Sequence, residues 1–161
     1  MLLLAICLLW GCSKSTNTDV LLTGKLTDCA ANNTCTYNYY ENSDLNQYNQ
    51  LVNGNYRVFE YKSISPDVCD ATTTINFKTA INTSDFVITA NQISAGQLVT
   101  YAFSCACCDN LANVKPIGGN IKGKKIGANT WLVNAAVILG TSATRPIDTL
   151  VVNQYFTLAT R

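Results

Sequence analysis

The ten residues Thr130-Trp-Leu-Val-Asn-Ala-Ala-Val-Ile-Leu139 decide the fold. Trp131, Val133, Ala135, Val137 and Leu139 fall on alternate positions, the period at which a strand presents one face. Leu132 and Ile138 lie on the opposite face, so both sides of this strand are partly covered. Gly127-Ala128-Asn129 precede it, and Gly140 to Asp148, with Arg145-Pro146, follow it; both stretches are rich in turn formers. Beyond them lie two more extended runs, Ile117 to Ile126 and Thr149 to Ala159. The pattern predicts three consecutive antiparallel strands.

Upstream the same period recurs in shorter runs. Val20 to Leu26 places Val20, Leu22 and Leu26 on one face. Thr36 to Tyr40 is aromatic and extended. In Tyr56 to Lys62, Arg57, Phe59 and Tyr61 oppose Tyr56, Val58 and Glu60. Thr72 to Ile81 points Ile75, Phe77 and Thr79 inward. Asp85 to Ala90 and Gln97 to Cys105 follow, joined by residues 91–96, and Val99, Tyr101, Phe103 and Cys105 share a face. The single helical signal is Ser43 to Asn53, where Leu45, Tyr48 and Val52 follow helical spacing behind Ser43 as N-cap; the stretch reads as a short helix or a structured loop. The expected fold is all-β: an antiparallel sandwich or small barrel of about eight strands, with at most one short helix near 43–53. Residues 20–161 form one domain.

Composition limits the functions on offer. The chain has 161 residues and a net charge of +1, with 13% charged residues. That balance is unsuited to coating nucleic acid. There is no histidine, which removes the commonest general base and metal ligand and every His-based triad. Gly118-Gly119 precede a hairpin-like Asn-Ile-Lys-Gly-Lys-Lys and not a helix, so they do not make a phosphate loop. No cofactor is expected.

The first nineteen residues set the compartment. Met1 to Trp10 is apolar, about half the length of a membrane-spanning helix. It ends at Gly11-Cys12, and Ser-Lys-Ser-Thr-Asn-Thr follows. Leu9-Trp10-Gly11-Cys12 resembles the lipobox of bacterial lipoproteins. That resemblance implies a signal peptide over 1–11, cleavage before Cys12, diacylglycerol on its thiol, and a flexible tether over 12–19. Ser13 after the cysteine implies outer-membrane sorting, with the domain on the periplasmic face or the cell surface. Such leaders carry Lys or Arg ahead of the apolar core. None is present here, so the natural start is expected upstream of Met1.

Cysteine arithmetic agrees with export. Of 8 cysteines, Cys7 leaves with the leader and Cys12 carries lipid. Cys29, Cys35, Cys69, Cys105, Cys107 and Cys108 remain, an even set that reads as disulfides. Cys29 and Cys35 bracket a turn-rich loop and are the first expected pair. In a continuing strand Cys105 and Cys107 are too far apart to bond each other. Each would then need a distant partner such as Cys69, Cys29 or Cys35, while adjacent Cys107 and Cys108 could close their own ring.

Two other readings of Cys105-Ala106-Cys107-Cys108-Asp109 compete with the structural one. Cys105 and Cys108 form a C-x-x-C redox spacing, but Pro116 and the glycines leave little room for the helix that activates such a thiol. Cys69, Cys105, Cys107 and Cys108 could supply four thiolates to zinc or Cu(I), at a spacing that fits no common zinc pattern. The remaining polar features have plainer readings. Asp28, Asp70 and Asp109 beside cysteines read as turn residues before they read as acid–base or calcium groups. Lys115, Lys122, Lys124 and Lys125 read as a solvated hairpin or guarded edge. Tyr37, Tyr39, Tyr40 and Tyr48 read as packing before a sugar- or peptide-binding face.

The sequence thus leads to a lipid-anchored envelope protein acting as a non-enzymatic binding or structural module. Its expected partners are the membrane, through its lipid, and an envelope protein or glycan. A thiol-based redox or metal protein and an inhibitor of secreted hydrolases are the alternatives.

Overall fold

The computed structural model describes residues 24–108 and 113–161. Cys7, Cys12, the tether and Asp109 lie outside the described residues, as does most of the expected strand Val20 to Leu26. Its described end, residues 24–26, is not a strand. Instead the following residue, Thr27, donates its N–H to the Asn153 carbonyl at 2.9 Å and accepts the Asn153 N–H on its hydroxyl.

Among the described residues nine strands form one sheet: β1 Thr34–Leu45, β2 Leu51–Asn53, β3 Tyr56–Ser65, β4 Ala71–Ala80, β5 Asp85–Ile88, β6 Val99–Ser104, β7 Lys115–Gly127, β8 Thr130–Ser142 and β9 Arg145–Leu158. Their order is β5-β7-β8-β9-β1-β3-β4-β6, with β2 paired to β1. The sheet curls on itself into a half-barrel, so both halves face one core. Every pairing is antiparallel except β1 with β9, a parallel contact limited to Asn38↔Thr157 and Tyr39↔Leu158.

β8 is the spine of the C-terminal half. Trp131, Val133, Ala135, Val137 and Leu139 are all buried, while Leu132 and Ile138 are half-buried on the outer face. β7 lies flat against it partly because of Gly119. That residue has φ +116°, and a side chain there would collide with the Ala136 carbonyl.

Phe59 joins the two halves. It stacks on Phe77 at 4.9 Å and meets Trp131 and Phe156 edge-on at 5.5 and 5.7 Å. Two positions away on the same face, Arg57 is also buried. Its Nε donates to Glu41 Oε1 at 2.7 Å, and its guanidinium lies 4.4 Å from the Trp131 ring centre. The same group donates to the carbonyls of Ala80, Ile81 and Thr83. A charge can stay buried here because paired donors and acceptors replace water.

Of the two readings of residues 43–53, the structured loop holds and the short helix does not. Residues 43–53 are the end of β1, a turn and β2. The Asn46 side chain accepts the N–H groups of Tyr48 and Gln50, which favours a turn over helix. Asn42 and Asn49 take positive φ, and Tyr48 points into solvent. The single α-helix among the described residues, α1, spans Ala90–Ser94, overlapping the expected 91–96 connection and taking in Ala90, the end of the expected strand. Gln92 accepts the Thr89 N–H and so caps its start. Ile93 is fully buried in the core, where α1 packs against β7.

Removing Glu41 while keeping Arg57 leaves a buried cation without its anion. Glu41→Ala is expected to cost about 3–5 kcal/mol by chemical denaturation. Glu41→Leu combined with Arg57→Met is expected to lie within about 1–2 kcal/mol of wild type. Equal losses in the single and double variants would contradict this account of the pair.

Candidate functional site

Two constellations lie at opposite ends of β4. The first is the cysteine cluster at its start. Pro66–Val68 forms a 3-10 turn, and Cys69 and Asp70 both take left-handed backbone before β4 begins. The residues after β6 come back to this point. Cys69 bonds Cys107 with Cα atoms 6.0 Å apart, and Cys105 bonds Cys108 with Cα atoms 5.4 Å apart. The sulfurs of Cys105, Cys107 and Cys108 all lie within 4.8 Å of one another. Cys69 and Cys107 are exposed, and Cys105 and Cys108 half-buried.

Cys29 pairs with Cys35, as the loop between them predicts. Cys107 has its distant partner in Cys69. Cys105 departs from the expectation of a distant partner. The chain leaves strand geometry after Ser104, so Cys105 can turn back to Cys108. The Cys107–Cys108 ring does not form. As disulfides these sulfurs offer no thiolate, so zinc or Cu(I) could enter only after reduction. No activating helix follows within the described residues, because β7 begins at Lys115 and takes in Pro116, Gly118 and Gly119.

The second constellation is a groove at the other end of β4. β6 pairs with β4 only as far as Phe77, and β5 pairs only with β7. The free edges of β4 and β5 leave a seam of about 260 Å³, lined by Tyr56, Thr79, Asp85, Phe86, Gln92 and Leu98 among others. Lys78 sits at its rim. It donates to Asp44 Oδ1 at 2.9 Å and lies 5.0 Å from the Tyr56 ring centre. Thr79 is 6% exposed, and its hydroxyl has no partner among the described residues. A buried hydroxyl left unpaired costs about 1–3 kcal/mol.

A second depression of about 310 Å³ lies on the other side of α1, lined by Ser94, Gly96, Thr100, Tyr101, Lys115 and others. The Thr100 hydroxyl is likewise buried and unpaired among the described residues. Burial, and then the Asp148 carboxylate, push the Tyr101 phenol above its ordinary pKa.

The tyrosines do not make a common surface. Tyr39 is in the core, and burial and then Glu41 raise its pKa. Tyr37 stacks on Tyr61 and meets Phe156 edge-on, and its pKa is raised mainly by burial. Tyr40 faces outward and donates to Glu60, with burial and that carboxylate raising its pKa. Tyr48 is alone in solvent. Of the lysines, Lys122 and Lys124 lie on β7 between β5 and β8, away from any sheet edge. Asp28 pairs with Lys25 at the surface, and Asp70 holds the turn before β4. Neither lines the groove.

No protein family, characterised protein or solved structure matches the chain.

The groove residues were missed in sequence because the site is made by edges that fail to meet. One local signal was present: Thr89-x-x-Gln92 is a capping-box spacing that marks the helix flanking the groove.

The Lys78 hydrogen bond holds the Asp44 carboxyl below its ordinary pKa. Such a carboxylate stabilises the fold above its unfolded pKa of about 3.9, and the contribution is lost as pH falls through the lower folded value. Asp44→Asn is therefore expected to be destabilised by about 0.5–1 kcal/mol near neutral pH. That deficit should shrink as the medium is acidified below about pH 4. Urea melts of both proteins across this range check it; a deficit that widens in acid would contradict the pairing.

Proposed function

We propose that the protein is a lipid-anchored envelope protein whose β domain binds a small polar ligand in the seam groove without transforming it. The observation that carries this reading is Thr79, a residue of the groove lining whose buried hydroxyl has no partner among the described residues. A volume of about 260 Å³ falls just under the roughly 300–1,000 Å³ of drug-sized pockets. It suits one sugar ring or one amino-acid side chain. Tyr56 and Phe86 offer ring surface, Leu98 an apolar wall, and Gln92 and Asp85 polar groups around the Thr79 hydroxyl. That combination matches an amphiphilic ligand such as a glycan unit or an exposed residue of an envelope protein.

Three features support the absence of turnover. The chain has no histidine. The lysine at the rim is held by Asp44. Asp85 has no second carboxylate beside it in the groove lining. The Leu9-Trp10-Gly11-Cys12 lipobox supports the anchor, and the pairing of all six later cysteines supports an oxidising compartment.

The direct test is a nuclear magnetic resonance titration with a panel of monosaccharides and dipeptides. A binder should shift Tyr56, Thr79, Phe86, Gln92 and Leu98 saturably. Thr79→Val should weaken it by about five- to a hundredfold, the cost of one hydrogen bond in a buried site. Binding that ignores Thr79→Val, or chemical conversion of the ligand, would overturn the reading. For the anchor, a clickable palmitate fed to producing cells should label the native protein and not Cys12→Ser. Equal labelling of both would place any lipid elsewhere.

A further inference from the structure

The cysteine cluster carries an inference independent of the groove. We propose that Cys105–Cys108 is a thiol–disulfide exchange site that accepts electrons from a partner dithiol and can pass them to Cys69–Cys107.

Three observations lead there. First, the Cys105–Cys108 bond closes a loop with a sequence separation of only 3, whereas Cys69–Cys107 spans 38. A cross-link restrains the unfolded chain more as its loop grows. The fold therefore depends little on Cys105–Cys108 and more on Cys69–Cys107, which ties the start of β4 to the chain beyond β6. Second, the cluster is open: Ala106 and Cys107 are exposed and their neighbours half-buried. Cys29 and Cys35 are half-buried as well, but Cys35 lies on β1 near the Tyr61 and Ser63 hydroxyls, at 3.9 and 3.7 Å, and no third sulfur among the described residues joins that pair. Third, the Cys107 sulfur lies within 4.8 Å of both sulfurs of the short pair. A structural staple does not need a second disulfide at that distance, whereas exchange does.

The chemistry balances as follows. A partner thiolate attacks Cys105 Sγ, the Cys105–Cys108 bond breaks, and Cys108 leaves as a thiolate. The second partner thiol, deprotonated, attacks the partner sulfur of the mixed disulfide. The partner leaves as a disulfide, and Cys105 departs as a thiolate that takes up a proton. In the oxidised cluster the Cys105 sulfur lies 3.7 Å from the Val68 carbonyl oxygen, an acceptor within reach of the new S–H. The partner dithiol is oxidised by two electrons and the short pair is reduced by two. In the onward step the reformed Cys105 thiolate attacks Cys107 Sγ. A Cys105–Cys107 bond forms, the Cys69–Cys107 bond breaks, and Cys69 leaves as a thiolate. The Cys108 thiolate then attacks Cys105 Sγ, the Cys105–Cys108 bond re-forms and Cys107 leaves as a thiolate, so the two electrons end on Cys69 and Cys107. Exchange needs a thiolate within reach of an accessible disulfide, and this cluster supplies both.

The experiment is stepwise reduction of the oxidised full chain with dithiothreitol, alkylation at each step, and peptide mapping. Near-ultraviolet circular dichroism reports the fold throughout. The proposal expects Cys105 and Cys108 to be alkylated at least tenfold faster than Cys29 and Cys35, with the folded signal retained. Loss of all three disulfides together, or Cys29–Cys35 opening first, would overturn it. The onward step is read in Cys108→Ser, where Cys105 has lost its partner. There a Cys105–Cys107 linkage and a free Cys69 thiol should form. Cys69–Cys107 fully retained, with Cys105 free, would overturn the relay. The wild-type reduction series needs no variant, so a variant that fails to fold still leaves the exchange site tested.

Discussion

The two halves of this protein meet through Phe59, Trp131 and Phe156. In ladder hydrogen bonds the junction is thin: β1 and β9 share two residue pairs. Beside them Ala159 donates to the Tyr39 carbonyl, Thr27 bonds the Asn153 backbone, the Asn153 and Gln154 side chains donate to the Lys25 and Thr27 carbonyls, and Arg161 donates to Asn42 and Asn53. Sheets of this kind are usually secured by long ladders. Here side-chain packing carries the load: Phe59 reaches from the N-terminal half to rings of the C-terminal half at 5.5 and 5.7 Å. Aromatic rings suit the task because each buries a large apolar area and pairs by geometry. Arg57 extends the cluster to the rim by lying on Trp131 and gathering three carbonyls at the end of β4.

The rest follows from how that core curls the sheet. Drawing β3 and β4 onto β8 brings β5 toward β4, and the two do not pair. Ile93 on α1 packs into the core, and depressions remain on either side of the helix. The larger apolar share of the lining falls at Phe86, Leu98 and Tyr56, where the unpaired Thr79 hydroxyl also lies. At the far end of β4 the same curvature returns the chain after β6 to Cys69. The groove and the disulfide cluster thus hang from one strand whose middle is fixed by Phe77 against Phe59. The functional proposals differ in kind because these ends differ in chemistry. One end is an apolar pocket with a single unmet hydrogen bond, the other a set of crowded sulfurs.

Much of the framework was legible in sequence. The alternation in β8 is strict, and every residue it assigned to the core is buried. The strands around it follow from turn formers and β-branched runs, and the Cys29–Cys35 pair from its bracketed loop. Other features were not legible, for identifiable reasons. Arg57 shares a face with Phe59, but alternation alone does not say that a charged residue goes inward. That depends on Glu41 and on three carbonyls distant in sequence. The spacing of Leu45, Tyr48 and Val52 imitated a helix because Asn46 makes its own backbone contacts. Alpha1 is too short for periodicity to register. The Cys105–Cys108 bond was obscured by assuming that strand geometry continued past Ser104. The groove has no sequence signature, since it arises where two edges fail to pair.

The central claim is that the aromatic core, and not the disulfides, holds the two halves together. Amide hydrogen exchange on the oxidised protein and on the protein with all its disulfides reduced tests it most directly. The account predicts that amides of β3, β8 and the paired part of β9 keep the slowest exchange in both states. Reduction should speed exchange mainly around Cys69 and at the ends of β4 and β6. Collapse of protection in β3 and β8 on reduction would contradict the account and make the disulfides the true closure of the fold.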